Sequence, residues 1–491
     1  MRFFLKPHLS LLFCVTVSVA NAATAETKPA SHEEVEELRQ TVRELATRVS
    51  ALEEELNKQK SVAVIDTATL KPAVFTLPAA SIRTSVESVS SSGVAAANTQ
   101  VAAAPQSTPA IPVLPTALPG GATLNYTLDT YYEYDFNHPI GRVQYLRPFD
   151  VLSNAFSINQ ADMIFDWQPD VASGRRYGMR LDLQFGQATE TLQGNPANEP
   201  RPEIYRNIFQ AYGTYVVPLG KGLTVDVGKW ASSLGIEGNY TKDQMNYSRS
   251  FWFDYLPFYH EGVRVNYKWN DKLTLNYWLV NGTNQSEPTN SYKDELFGFT
   301  AQPSKNVLWN FNYYIGQDHP DVMPATNCTA PVQPGLCLAP INPAPDGKAN
   351  IFDSYATWNA KPKLTFALEG DYVIQRLWAE PGPGRSSAPS EVYGGAGYAR
   401  YQFTPHMALA GRGEYLSDKG GLYTGTSQVL NEFTGTYEYR FGEGFLARVE
   451  FRRDASNVPF FLTNKPGVLA TTQPTFGIGM VWWYGAKQGA W

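Results

Sequence analysis

Charged side chains recur at every second position in several segments of the chain, and this spacing limits the chemistry they could do. Residues two apart lie on the same face of a β-strand. A carboxylate pair such as Glu369 and Asp371 could act as a general acid and base, and a pair such as Arg412 and Glu414 could bind a charged solute. Both kinds of pair are also what a strand lining an aqueous channel supplies.

The sequence contains little else that indicates an enzyme. The sequence has no Gly-x-Ser-x-Gly, His-Glu-x-x-His, Cys-x-x-Cys or P-loop signature. The glycine cluster at 394–397 lies in an alternating segment, where small residues ease strand packing. The six His residues are scattered. We therefore predict a protein that is not an enzyme and that uses no metal and no cofactor.

The composition indicates a surface that faces lipid. Among 491 residues, 13% are aromatic and only 18% are charged, whereas soluble proteins carry about 25% charge. Beyond the extreme N-terminus no apolar run reaches about 18 residues, the minimum for a membrane-spanning helix. A helical membrane protein is therefore excluded. The net charge of -6 gives no reason to expect a nucleic-acid partner.

From residue 124 onward, apolar and polar residues alternate with a period of two. In the first segment Leu124, Tyr126 and Leu128 share one face, and Asn125 and Asp129 share the other. The same alternation recurs around 177–185, 263–269, 307–315, 407–415, 445–452 and 476–484. Each segment is typical of a strand with one apolar and one polar face.

The links between these segments alternate between long and short. Seven short turns and eight long loops predict sixteen strands, with counts of fourteen or eighteen as alternatives. Short turns at one end and long loops at the other are typical of outer-membrane barrels. We therefore predict an all-β fold, a transmembrane antiparallel β-barrel of about 16 strands over residues 124–491, with both chain ends on the periplasmic side.

Three N-terminal segments precede the predicted barrel. Residues 1–22 read as a signal peptide, with basic, apolar and small-residue regions in order. Residues 31–60 predict a short periplasmic coiled-coil helix, and 61–123 a flexible linker without periodicity. The seam of the coiled coil comprises Val35, Leu38, Val42, Leu45, Val49, Leu52 and Leu56. The alternative is a single amphipathic helix that lies on a surface.

Further expectations concern the loops and the interior. An exported chain meets an oxidising compartment, so Cys328 and Cys337 are expected to form a disulfide.

The third long loop, about 231–260, mixes charges with many aromatic rings. It is expected to fold into the barrel and form the constriction, and the alternative is a cap outside the barrel. The predicted pore-lining and constriction residues are Arg180, Asp182, Glu237, Lys242, Asp243, Arg249, Asp254, Arg264, Glu369, Asp371, Arg412, Glu414, Arg448, Glu450 and Arg452. Their charges nearly balance, so no ion preference follows, and ion pairs that stiffen the wall are the other explanation for many of them.

A family resemblance supports the same interpretation. The motifs around the third loop, Gly228-Lys229-Trp230, Gly235-Ile236-Glu237, Asn246-Tyr247-Ser248-Arg249-Ser250 and His260-Glu261-Gly262-Val263-Arg264, resemble the OmpL-like putative beta-barrel porin-2 family over about 124–491. The resemblance implies an outer-membrane porin and no particular solute. A coiled coil before a barrel also resembles porins that assemble as trimers, such as the phosphate-selective and carbohydrate-selective ones.

The sequence therefore predicts a porin of the bacterial outer membrane, a water-filled channel for passive diffusion of small hydrophilic solutes or ions. Its expected partners are membrane lipid and further copies of the chain, with a trimer favoured, and the coiled coil promotes the trimer or reaches the peptidoglycan. The alternative is a plugged barrel that acts as an adhesin or as a structural anchor between the outer membrane and the peptidoglycan.

Overall fold

The computed structural model describes residues 118–193, 199, 201–288, 290–317, 322–324, 338–340, 348–376, 389–442 and 444–485. The signal peptide, the coiled coil, nearly all of the linker and both cysteines of the expected disulfide lie outside these residues. The predictions made for those segments therefore stay predictions.

Sixteen antiparallel strands form a closed barrel in which neighbours in the chain are neighbours in the sheet. The barrel strands are β1 (Thr123–Asp135), β2 (Ala155–Trp167), β3 (Tyr177–Phe185), β4 (Ile208–Val217), β5 (Leu223–Ala231), β6 (Tyr259–Asn270), β7 (Leu273–Val280), β8 (Asp294–Ser304), β9 (Val307–Gly316), β12 (Ala349–Lys361), β13 (Leu364–Arg376), β14 (Pro389–Gln402), β15 (Met407–Lys419), β16 (Gln428–Gly442), β17 (Phe445–Ser456) and β20 (Thr472–Tyr484). The ring closes where β20 pairs with β1. The predicted count of sixteen is confirmed, and fourteen and eighteen are wrong.

The connections alternate between short turns and long loops as predicted, except that the turn at 168–176 has nine residues and the loop at 420–427 only eight. Two short hairpins, β10 (Val322–Pro324) with β11 (Leu338–Pro340) and β18 (Phe461–Leu462) with β19 (Leu469–Ala470), lie outside the barrel sheet. The short helices of the described chain are α1 (Ala188–Gln193), α2 (Pro202–Tyr205) and α3 (Phe251–Tyr255), with single 3-10 turns at Pro119–Gly121, Ile140–Arg142 and Thr241–Asp243. No helix in these ranges is long and apolar enough to cross a membrane.

The alternation of side chains divides each strand between two environments. In β1 the polar Asn125 and Asp129 are fully buried, whereas Tyr126 and Leu128 are exposed. Large apolar side chains cover the outer surface of the other strands as well, which is the arrangement that a hydrocarbon environment favours. The polar face therefore points into the barrel, as the period-two pattern predicts.

The last strand places its large apolar side chains on the outer face of the barrel. In β20 the side chains of Phe476, Ile478, Met480, Trp482 and Tyr484 are all exposed on the outer face. Trp482 stacks on Phe445 of β17 with ring centres 4.7 Å apart. Tyr484 pairs in register with Tyr126 of β1, so the strand closes the ring with its aromatic face outward.

Candidate functional site

Loop 3, the segment 232–258 between β5 and β6, lies inside the barrel. Its residues bond to inward-facing side chains far apart around the ring: Asp182 of β3 accepts from the Tyr240 hydroxyl (2.6 Å), and Asn312 of β9 donates to the Ser233 carbonyl (3.1 Å). Arg448, in the half of β17 nearer the turn, donates to the Thr241 carbonyl (2.7 Å). These contacts agree with the predicted inward folding and exclude a cap outside the barrel.

The first part of loop 3 is held by carboxylates of β12 and β13. Gly235 has a φ of 84°, a left-handed conformation that glycine adopts without strain. There the consecutive N–H groups of Gly235 and Ile236 donate to Asp353 Oδ1 (3.2 Å) and Glu369 Oε1 (2.9 Å). The Gly235-Ile236 part of the family motif therefore presents two backbone donors to the acidic wall.

The middle of loop 3 is held by β17, β20 and β1. The N–H groups of Tyr247 and Ser248 donate to the two carboxylate oxygens of Glu450, at 2.6 and 2.9 Å. The Tyr247 hydroxyl donates to Asp129 (2.9 Å). Its ring packs on Gly479, where an added Cβ would lie 2.1 Å from the ring, so only glycine leaves room for Tyr247 at this point of the wall.

Buried arginines of β15 to β17 bind the carbonyl groups of loop 3. Arg412 forms ion pairs with Glu237 (2.8 Å) and Glu432 (3.0 Å) and donates to the Ser248 carbonyl (2.8 Å). Arg448 pairs with Glu438 (2.7 Å) and also donates to loop carbonyls. Arg452 pairs with Asp454 (2.7 Å) and donates to the carbonyl of Arg249. Each guanidinium thus joins a compensating carboxylate to the loop backbone.

The helix α3 fills an apolar belt on the inner wall. Its N-terminus is capped by Ser250, whose Oγ accepts from the Phe253 N–H (3.0 Å), and the Phe251 N–H donates to Glu414 (3.1 Å). Phe251 and Trp252 are fully buried. They join one hydrophobic cluster with the belt residues, which are Trp278, Leu296, Tyr314, Ile351, Val373, Val392, Leu416 and Leu430. Neighbouring members of this belt pair across β7 to β9 and β12 to β14, and across β15 and β16.

Other external loops pack on loop 3. In loop 1 (136–154), Phe149 meets Phe253 edge to face at 5.3 Å, and buried Arg147 pairs with Asp150 (2.8 Å). In loop 7 (420–427), Tyr423 stacks on Tyr255 at 4.8 Å. Loops 1 and 7 therefore both pack against α3 through aromatic side chains.

Two acidic residues of these loops have shifted pKa values. Burial alone would raise the pKa of Asp150, but Arg147 and Arg452 hold this pKa below its ordinary value. Burial raises the pKa of Asp254, in α3, to about 7, and Arg452 opposes the rise. Loop 3 therefore carries a carboxyl group that changes its charge near neutral pH.

The structure places all fifteen predicted site residues on the inward face or in loop 3. Ten lie on strands: Arg180, Asp182, Arg264, Glu369, Asp371, Arg412, Glu414, Arg448, Glu450 and Arg452. Five lie in loop 3: Glu237, Lys242, Asp243, Arg249 and Asp254. Twelve of the fifteen are buried, and Lys242, Asp243 and Asp254 are partly exposed. The role of the set as pore lining stays a prediction.

Most of these charges are brought together with partners. Arg180 pairs with Asp182 (2.9 Å), Arg264 with Asp226 (2.7 Å), and Lys242 with Asp243 (2.9 Å). Arg249 donates to the carbonyls of Gly238 and Asn239 within loop 3. Asp371 lies with Asp353 and Glu369 in a cluster of three carboxylates. Several of these residues thus form ion pairs, as the alternative explanation drawn from the sequence predicts.

Sequence reasoning missed several residues that hold the loops or their arginine partners. These are Arg147, Asp353 and Glu438. Asp353 lies two positions from Ile351 and from Tyr355 on one strand face, and all three are buried. The period-two pattern in residues 349–361 could have placed Asp353 inside, but only the fold brings it to Gly235.

Residues 121–482 match the family described as Putative beta-barrel porin-2, OmpL-like. No curated protein sequence matches the chain. Similar solved structures include a loop L8 deletion mutant of OmpT, an outer membrane protein of Vibrio cholerae, at 11% identity and a TM-score of 0.47, covering 74% of this chain and 99% of that one. An anion-selective porin from Comamonas acidovorans is similar at 9% identity and a TM-score of 0.46, covering 74% of this chain and 99% of that one. Salmonella typhi OmpF in complex with daunomycin is similar at 11% identity and a TM-score of 0.44, covering 74% of this chain and 97% of that one. Because the family match spans nearly the whole barrel, the chain belongs to the OmpL-like beta-barrel porin-2 family and is a porin-type barrel of the bacterial outer membrane.

Proposed function

We propose that the barrel is a porin that lets small hydrophilic solutes or ions cross the outer membrane by passive diffusion, and that loop 3 forms its constriction. The observation that supports this most directly is the position of loop 3 inside the barrel, bound through its backbone to β9, β12, β13, β15 and β17. A loop held at so many backbone groups keeps its shape while its side chains meet solutes. No catalytic step is part of this function.

Three side chains of loop 3 are proposed to contact the solutes. Lys242, Asp243 and Asp254 are the predicted site residues that remain partly exposed. Lys242 and Asp243 form an ion pair at 2.9 Å, so their charges largely cancel. We therefore expect weak charge selectivity at low pH, with Asp254 adding cation preference once it is ionised.

The second candidate is the plugged barrel, and one observation favours it. The apolar belt is filled by Phe251 and Trp252, both fully buried. An apolar seal of this kind blocks water as well as ions. In that case the barrel would act as an adhesin or as an anchor that the N-terminal coiled coil joins to the peptidoglycan.

The remaining predictions concern export and assembly. We propose that residues 1–22 direct export, that the helix at 31–60 lies in the periplasm, and that homotrimers form through the barrel and the coiled coil. The outer surface of the barrel offers apolar area for lipid and for further copies of the chain, such as Phe156, Leu368 and Phe433.

Single-channel conductance of the purified full-length protein in planar bilayers, with the reversal potential under a salt gradient, tests both candidates. A porin gives open, salt-dependent steps, and Lys242→Ala shifts its reversal potential toward cation preference. A plugged barrel is silent, and Trp252→Ala makes it conduct. Trp269→Ala is the matched control, because Trp269 is exposed on the outer face of β6. Silence of the folded, inserted wild type would contradict the porin, and silence of Trp252→Ala as well would contradict an apolar seal formed by Trp252.

A further inference from the structure

We propose that the barrel binds a hard divalent cation, with Ca²⁺ preferred, between Asp353, Glu369 and Asp371. These residues lie on the inward faces of β12 and β13, and Asp353 and Asp371 stand directly opposite each other in the register. One carboxylate oxygen from each of the three lies within 4.8 Å of the other two. The site is where the first part of loop 3 meets the wall, outside the groups proposed to contact solutes.

The separation of the oxygens fits a shared ion. Ca²⁺ binds oxygen at 2.3 to 2.6 Å, so two ligands on opposite sides of one ion are roughly 4.6 to 5.2 Å apart. Three oxygens at most 4.8 Å apart are close enough for small rotations of their side chains to bring all three into contact with one ion.

The side chain of Asp371 gives a second, independent indication. It is buried, no N–H or hydroxyl donor among the described residues reaches either of its carboxylate oxygens, and its side chain meets the facing carboxyl of Asp353. A buried carboxylate without a donor or a counter-charge is strongly unfavourable. A cation at this point would supply the counter-charge and would coordinate the carboxylate oxygens.

The partners of the other two carboxylates are neutral. Asp353 accepts from the Gly235 N–H (3.2 Å) and from the Asn312 amide (2.7 Å). Glu369 accepts from the Ile236 N–H (2.9 Å) and from the Tyr398 hydroxyl (3.4 Å). Within the described ranges, the ion pairs of the lysines and arginines go to other carboxylates. Like charges that face each other across a strand pair repel, so a bound cation would stabilise the ionised triad.

The ligand set selects the class of ion. All three ligands are carboxylate oxygens, and hard cations prefer these over the nitrogen and sulfur ligands that Zn²⁺ takes. Ca²⁺ accepts six to eight oxygens in flexible geometry, whereas Mg²⁺ keeps several waters and requires a near-ideal octahedron. A buried site of two strands and one loop favours the flexible ion. Since Asp353 and Glu369 also hold Gly235 and Ile236, the ion would fix the start of loop 3.

Terbium luminescence of the chelator-treated full-length protein in detergent tests binding. Tb³⁺ replaces Ca²⁺, and Tyr398, whose hydroxyl contacts Glu369, lies close enough to excite it. We expect Tyr-excited Tb³⁺ emission that saturates at one ion per chain and is displaced by Ca²⁺. Asp371→Asn should weaken binding at least about tenfold. Wild-type affinity in Asp371→Asn, or no emission from the wild type, would overturn the site.

The control is Asp162→Asn, because Asp162 is another buried inward carboxylate with two unpartnered oxygens, on β2 and outside the triad. It should bind Tb³⁺ as the wild type does.

Thermal melting, monitored by circular dichroism, distinguishes a loss of cation binding from misfolding of the variant. Ca²⁺ should raise the melting temperature of the wild type and leave that of Asp371→Asn unchanged, and in EDTA the variant should melt at or above the wild type. A wild type whose melting temperature ignores Ca²⁺ would mean that the triad shares protons instead, and would overturn the proposal whether or not the barrel conducts.

Discussion

Two stretches of the inner wall hold loop 3 by different chemistry. The wall of β15 to β17 carries Arg412, Arg448 and Arg452 among its carboxylates, whereas the wall of β12 and β13 carries Asp353, Glu369 and Asp371 at the contact with the loop. The arginines of the first wall bind carbonyl groups of the loop and its carboxylates bind N–H groups, whereas the three carboxylates of the second wall can bind only N–H groups. Burial is similar on both walls, so the difference lies in how charge is compensated.

On the wall with arginines, each buried charge has a partner within the protein. Arg412 lies between Glu237 and Glu432, with Glu414 at 3.6 Å. Such networks are costly to desolvate but fix geometry, because removing one member leaves the others buried and unpaired. On the acidic wall no such partner is present among the described residues, and this contrast supports the proposed cation.

The largest expected effect comes from Arg412→Ala. This change removes the guanidinium that joins Glu237, Glu432 and the Ser248 carbonyl. We expect a loss of about 3 to 5 kcal/mol in the free energy of unfolding, the range for one partner of a buried ion network. Urea unfolding in detergent, or heat-modifiable migration on gels, measures it.

Arg412→Lys is the companion variant. It keeps the charge but not the planar fork that reaches two carboxylates and a carbonyl at once, so it should recover part of the stability. Equal stability of Arg412→Ala and the wild type would show that the wall with arginines does not depend on this group.

Glu450→Gln and Glu369→Gln compare the two walls directly. Glu450 accepts from two N–H groups of loop 3 and from the Thr436 hydroxyl. The glutamine amide would point its NH₂ group at one of these donors and leave that donor without an acceptor. We therefore expect a loss of about 1 to 3 kcal/mol in the free energy of unfolding. Glu369→Gln loses one acceptor bond of the same kind but relieves repulsion within the acidic triad.

In EDTA, Glu369→Gln should therefore lower the free energy of unfolding by less than Glu450→Gln does. Urea unfolding of both variants measures the difference. If Glu369→Gln is destabilised as much as Glu450→Gln in the chelator, the two walls are electrostatically alike and the comparison fails.

Gly235→Ala tests the backbone at the acidic wall. A side chain at φ 84° costs about 1 to 2 kcal/mol, and the new Cβ would lie 3.2 Å from both Glu369 Oε1 and Leu256 Cδ1. We expect a loss of this size, measured by urea unfolding. Gly435→Ala in β16 is the control, since a Cβ there meets nothing within 4 Å. A similar loss in both variants would remove the special role of Gly235.

The smallest expected effect is the pH response of Asp254. Burial raises its pKa from 3.8 to about 7. The folded state thus favours the neutral acid, so the stability it contributes is fully present below about pH 4 and is lost as the pH rises through about 7. Ionisation also adds a negative charge to loop 3, and cation preference in the reversal potential should increase from about pH 6 to about pH 8.

Asp254→Asn should abolish this pH step and leave the remaining pH dependence unchanged. A step of the same size in the variant would assign the titration to another group. Arg452 and Arg147, which oppose the raised pKa, keep their charge across this range.

The barrel itself could be predicted from the sequence because strand alternation and loop length are local properties. The segment at 124–136 gave its inward and outward faces correctly, and the aromatic residues of 476–484 gave the face of the last strand. The third loop was recognised by its aromatic and charged composition. The partners of the third loop could not be recognised, because contacting residues such as Glu450 and Tyr247 are about two hundred positions apart in the chain.

The sequence alone determined that alternating strands form a barrel and which strand faces point outward, since these depend on period, polarity and spacing along the chain. It left the count at fourteen, sixteen or eighteen strands and left open whether loop 3 enters the barrel, and the tertiary structure settled both. The tertiary structure decided which charges meet. Closure of the ring places Arg412 among Glu237 and Glu432 but leaves Asp353, Glu369 and Asp371 together. The physical reason is that compensation of a buried charge depends on distances between strands that only the closed barrel fixes.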